Sequence, residues 1–89
     1  LHIEHDPAKR ADTLIRRNLD MADAIHVFSG ATVTVEDRRR EYGEPGFLTI
    51  GTLGNRMVVV AWTPRGDARR IISMRKANDR ERTRTLLGR

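Results

Sequence analysis

Four arginines gather around one predicted turn: Arg65, Arg69, Arg70 and Arg75 lie in or beside the stretch Met57-Val-Val-Val-Ala-Trp-Thr-Pro-Arg-Gly-Asp-Ala-Arg-Arg-Ile-Ile-Ser-Met-Arg75. A guanidinium is planar, permanently charged and offers its donors in a fixed fork, so on a rigid support it matches phosphate oxygens. The support is legible in the same stretch. Val58 to Thr63 is rich in β-branched and aromatic residues, Pro64 to Asp67 carries turn chemistry, and Arg70 to Met74 returns to a strand pattern. A hairpin bearing guanidinium groups implies a polyanionic ligand, RNA or DNA.

Charge along the chain points the same way. The 89 residues carry a net charge of +5, but residues 1 to 55 hold seven Lys/Arg against nine Asp/Glu, net −2, while residues 56 to 89 hold ten against three, net +7. Arginine-rich codon usage explains why Lys9 and Lys76 are the only lysines, but not this asymmetry, which is the footprint of a polyanion or an acidic partner. There is no cysteine, hence no disulfide framework, thiol nucleophile or thiolate metal site. No apolar run approaches the roughly 20 residues of a membrane span, and Leu1-His-Ile-Glu-His5 has no signal character, so a cytoplasmic chain without a membrane association is expected. The length suits one small domain over residues 1–89.

The elements that must hold these arginines follow from periodicity and turn chemistry. Asp6-Pro7 opens a first helix whose apolar stripe is Ala8, Ala11, Leu14, Ile15 and Leu19. A second begins at Asp20 and repeats Met21, Ala24, Ile25 and Phe28 until Ser29-Gly30. Ala31 to Val35 alternates as a strand, Glu36 to Gly46 is a charged loop, and Phe47 to Leu53 is a second strand that Gly51 weakens. Gly54-Asn55 turns into a third strand, Arg56 to Thr63, and the fourth runs from Arg69 or Arg70 to Met74. Asn78 and Glu81 form a capping box for a terminal helix anchored by Leu86 and Leu87. The expected fold is α+β: two N-terminal helices, a four-stranded antiparallel meander sheet and a C-terminal helix, with the helices on one face.

Asp6-Pro-Ala-Lys9, Val27-Phe28, Glu36-Asp-Arg-Arg39, Tyr42-Gly-Glu44, Val58-Val-Val60, Thr63-Pro-Arg-Gly66 and Arg70-Ile-Ile-Ser-Met-Arg-Lys-Ala77 with Glu81-Arg82 occur in that order. Together they resemble the BrnT family, toxins of type II toxin–antitoxin pairs. The resemblance implies a fold like the RelE-type ribonuclease toxins, RNA cleavage that arrests translation, and neutralisation by a BrnA antitoxin with a ribbon-helix-helix domain. Operator DNA would be reached only through that antitoxin. The chain has Gly46 and Thr85 where the family commonly has arginine and an aromatic residue. This keeps open an alternative, a catalytically degenerate module that binds the antitoxin or nucleic acid.

Without cysteine or a spaced His/Asp/Glu cluster, the route to RNA cleavage open to these residues is metal-independent and needs no cofactor. The ribose 2′-hydroxyl attacks phosphorus, and the protein removes its proton and stabilises the added negative charge. Arg65 and Arg75 are first choices for that stabilisation, Arg70 the next, and Glu44 is the candidate base. Arg38, Arg39 and Arg69 are candidates for holding substrate phosphates, and Trp62 for stacking a base. Each has a plain alternative: surface ion pairs for the arginines, solvation for Glu44 and the Arg38-Arg39-Arg40 run, and core packing for Trp62.

Overall fold

A computed structural model describes residues 1–38 and 44–87. Among these residues nine elements follow in order: β1 (His2–His5), α1 (Pro7–Arg17), a 3₁₀ turn (Met21–Asp23), α2 (Ala24–Phe28), β2 (Val33–Glu36), β3 (Phe47–Leu53), β4 (Arg56–Arg65), β5 (Ala68–Lys76) and α3 (Asp79–Leu87). The fold is α+β as expected, but the sheet has five strands in the order β1-β5-β4-β3-β2. Strands β2 to β5 make the antiparallel meander. The correction is β1, which pairs parallel with β5, His2 opposite Ala68 and His5 opposite Ile71, so the sheet is mixed. Four residues of mixed polarity carry too little alternation to announce a strand, and β1 exists because β5 offers it an edge.

Two two-residue loops set the meander. Gly54 and Gly66 occupy the first position of each with φ of 63° and 58°, a conformation that favours glycine in the type II′ hairpin turn. The second loop is Gly66-Asp67 alone: Pro64 and Arg65, expected in the turn, are the last residues of β4, opposite Arg69 and Ala68. A β-bulge shifts the register between Ala61, opposite Ser73, and Trp62, opposite Ile71, leaving Ile72 as the extra residue on β5.

Alternation along β4 divides the sheet into two buried faces. Val58, Val60 and Trp62 join Leu19, Met21, Ala24, Val27, Ile71 and Met74 in the main core, against α2 and the 3₁₀ turn. Val59, Ala61 and Thr63 point the other way and are also buried. On that side Arg75, in register with Val59, holds α3 through Glu81, so the helices are divided between faces instead of sharing one. Gly51 does not weaken β3 for lack of a side chain. A Cβ there would lie 2.9 Å from Val27 Cγ1 and 3.0 Å from Thr32 Cγ2, so its bareness is what lets α2 approach the sheet.

The largest correction concerns α1. Its predicted stripe does not pack: Ile15 is 84% and Leu14 45% exposed, whereas Thr13 is 8% exposed. The helix lies beside β5, with the Arg17 guanidinium donating to the Met74 carbonyl at 2.9 Å, and Asn18 closes it in the left-handed conformation. Leu19, expected on the stripe, is in the core through the turn after the helix. The capping box of α3 forms as read: Asn78 Oδ1 accepts from the Glu81 N–H at 2.8 Å, and Glu81 Oε1 from the Asn78 N–H at 2.9 Å. Leu86 is exposed, so it does not anchor α3, whose buried contact is Thr85. The side chain of Leu87 lies outside the described residues. Among the described residues, no helix is long and apolar enough to cross a membrane.

Candidate nucleic-acid interface

Because side chains alternate along a strand, the arginines of one hairpin divide between its faces. Arg65, Arg70 and Arg75 belong with Val59, Ala61 and Thr63, since Arg70 is opposite Thr63 and Arg75 opposite Val59. Arg69 belongs to the other face. Its guanidinium lies 4.6 Å from the Phe28 ring centre and 4.3 Å from that of Trp62, a cation–π stack at the rim of the main core. Trp62 is 8% exposed: Phe47 stacks on it at 4.9 Å, Phe28 meets it edge-on at 5.8 Å, and its Nε1–H donates to Thr49 Oγ1 at 2.8 Å.

The structure brings Glu44 and Arg65 together. Arg65 Nη2 lies 3.6 Å from Glu44 Oε1, with both side chains about half exposed. The segment carrying Glu44 is fixed by its neighbour: the buried Thr63 hydroxyl donates to the Pro45 carbonyl at 2.6 Å. That tether is not visible in the sequence, because Thr63 reads there simply as a strand residue. Arg70 stands next to Thr63 across the ladder and has Glu4 of β1 opposite it on its other side. A carboxylate and two guanidinium groups therefore share the rim of one sheet face. Such a group can accept a hydroxyl proton and hold an anion in the same place.

Arg75 is not part of that group. It lies six residues from Arg65 in the β4 register, about 20 Å along the strand. Its Nη1 and Nη2 donate to Glu81 Oε1 and Oε2, each at 2.7 Å, a bidentate pair that holds the proton on Arg75 even more firmly than usual. Glu81 was legible as a capping residue, but its second role depends on a strand-to-helix corner that only the fold supplies. Arg38 is highly exposed and pairs loosely with Glu36 at 3.7 Å. Arg39, together with Arg40 and Tyr42, lies outside the described residues.

Residues 5–81 match the family model described as "Ribonuclease toxin, BrnT, of type II toxin-antitoxin system". Among curated proteins, none matches the chain.

Proposed function

This chain belongs to the BrnT family of type II toxin–antitoxin ribonuclease toxins, and from that premise we propose a metal-independent endoribonuclease whose centre is Glu44, Arg65 and Arg70. Glu44 accepts the proton of a ribose 2′-hydroxyl as its oxygen attacks the adjacent phosphorus. The bond to the 5′-oxygen breaks, that oxygen takes a proton from water, and the products are a 2′,3′-cyclic phosphate and a 5′-hydroxyl. Arg65 and Arg70 stabilise the charge added to the phosphoryl oxygens. Cleaving RNA in this way stops translation.

The observation that carries this reading is the Glu44–Arg65 pair, half exposed beside Arg70 and pinned by Thr63. In this reading Arg75 positions α3 through Glu81 and does not contact the scissile phosphate. The test is cleavage of a single-stranded RNA by purified protein in a metal chelator. Glu44→Gln and Arg65→Ala should each slow it about 10²-fold or more, and a 2′-deoxy substitution at the cut site should stop it. Undiminished cleavage in both variants, or loss of cleavage on chelation, would overturn the assignment.

A second reading, a non-catalytic module, draws on Gly46 and Thr85: both are buried, and Thr85 spends its hydroxyl on the Glu81 carbonyl at 2.8 Å. Neither offers a group to substrate. Inactivity of the wild-type protein in the same assay would favour it.

In either reading a BrnA-type, ribbon-helix-helix antitoxin is the partner. Its carboxylates would occupy Arg65 and Arg70, and its apolar side chains would cover the stripe that α1 leaves exposed, Ala8, Ala11, Leu14 and Ile15.

A further inference from the structure

An amphipathic helix beside a sheet ordinarily buries its apolar stripe. Here α1 does the reverse, turning Thr13 inward while Ile15 faces solvent. The face turned toward the sheet edge carries Lys9, Thr13 and Arg17, and with Arg16 these line a cleft of about 170 Å³ closed on the far side by Ser73 and Ile72. The cleft exists for two reasons of topology. β1 ends at His5, opposite Ile71, so the outward edge of β5 beyond that point has no strand beside it. The bulge at Ile72 then bends this same edge.

The charges in the cleft are unequal. Asp12 is the acid there, and it is engaged by Arg16 at 3.0 Å. Arg17 spends one N–H on the Met74 carbonyl and retains its other donors. Lys9 has no ion-pair partner among the described residues and is exposed beside the cleft. The cleft is also in line with the proposed centre. Arg65, Arg70 and Ser73 pair across the ladder with Ala68, Thr63 and Ala61, so successive positions are two residues of β4 apart, about 7 Å. Glu4, opposite Arg70, and Glu44, beside Arg65, lie along this line.

We propose that the α1–β5 cleft is a phosphate subsite: Lys9 and Arg17, with the Thr13 and Ser73 hydroxyls, hold a backbone phosphate of single-stranded RNA, a few nucleotides from the bond cut beside Glu44 and Arg65. The proposal rests on the RNA-cleaving reading above. It extends the binding track from the hairpin rim to the first helix, and it accounts for a helix that presents cations to its own sheet.

The test measures the affinity of a fluorescein-labelled ten-nucleotide 2′-O-methyl RNA, which cannot be cleaved, across a KCl series for the wild type, Lys9→Ala and Lys9→Arg. Each phosphate neutralised on a single strand contributes about 0.7 to the slope of log affinity against log salt. Lys9→Ala should weaken binding about fivefold at low salt and reduce that slope by about 0.7, and Lys9→Arg should restore both. Lys9 is exposed, and circular dichroism checks that the variants are folded. Wild-type binding with the same affinity and slope in Lys9→Ala would overturn the cleft while leaving the RNA reading intact. Absence of wild-type binding would overturn the subsite, and cleavage of an unmodified RNA, assayed in parallel, decides the Glu44–Arg65 centre separately.

Discussion

Arg75 grips Glu81 with both terminal nitrogens at 2.7 Å, and Glu81 simultaneously caps α3 through the Asn78 N–H. One carboxylate thus ties the end of β5 to the start of the last helix. The pair is partly exposed, so its net worth is about 1 kcal/mol, less than a buried bidentate pair would give. Arg75→Ala and Glu81→Gln should each lower stability by about that much in urea denaturation and lower RNA cleavage equally little. A loss of cleavage in Arg75→Ala far beyond that in Glu81→Gln would return Arg75 to the catalytic group.

Asp20 supplies a pH-dependent contribution. Its side chain accepts from Arg10 Nε at 2.7 Å and Nη2 at 3.0 Å, and from the Ala22 N–H at 2.9 Å. The Arg10 hydrogen bond first, then the backbone one, lowers its pKa from 3.8 to about 2. A carboxylate with a depressed folded pKa contributes stability fully above its unfolded pKa and loses it as pH falls through the folded one. Asp20→Asn keeps an oxygen for the cap but loses the charge. It should be less stable than the wild type by about 1 kcal/mol at neutral pH, a gap narrowing as pH falls from about 4 to 2. A gap independent of pH in that window would mean the Arg10 pair contributes nothing.

Gly51→Ala tests the approach of α2 to β3. An alanine ordinarily favours a strand over glycine, yet here its methyl would meet Val27 Cγ1 at 2.9 Å, and Val27 is fully buried. Overpacking of this kind costs about 1–3 kcal/mol. Denaturation should show Gly51→Ala to be the less stable protein, and a more stable variant would show that Val27 and Thr32 can yield.

What the sequence reveals and what it hides divide along the same line as local and non-local physics. The β4–β5 hairpin, the capping box of α3, the helical repeat of Met21 and Ala24 and the strand run from Val58 to Thr63 depend on residues near one another in the chain, and they are legible. β1 is not, because its strand character comes from pairing with β5, some 66 residues away in register. The α1 stripe was legible as a stripe, but periodicity gives a helix two faces and does not say which one meets the sheet. Among the site residues, the arginines stood out by type, whereas the contact between Glu44 and Arg65 depends on Thr63 reaching Pro45 across 18 positions.

The exposed stripe on α1 makes the last prediction. Ile15 is 84% exposed, so replacing it with glutamine removes apolar surface without leaving a cavity or changing charge, and stability should move by no more than about 0.5 kcal/mol. Affinity for a BrnA-type antitoxin should nevertheless fall about tenfold or more, because a large side chain central to an apolar contact contributes well beyond its charge-neutral rim. Arg65→Ala should weaken the same complex differently, through an exposed ion pair, and its effect should fade as salt is raised while that of Ile15→Gln persists. Calorimetric titration at two salt concentrations separates the two. If Ile15→Gln binds as tightly as the wild type, the antitoxin covers another face and the stripe on α1 has some other occupant.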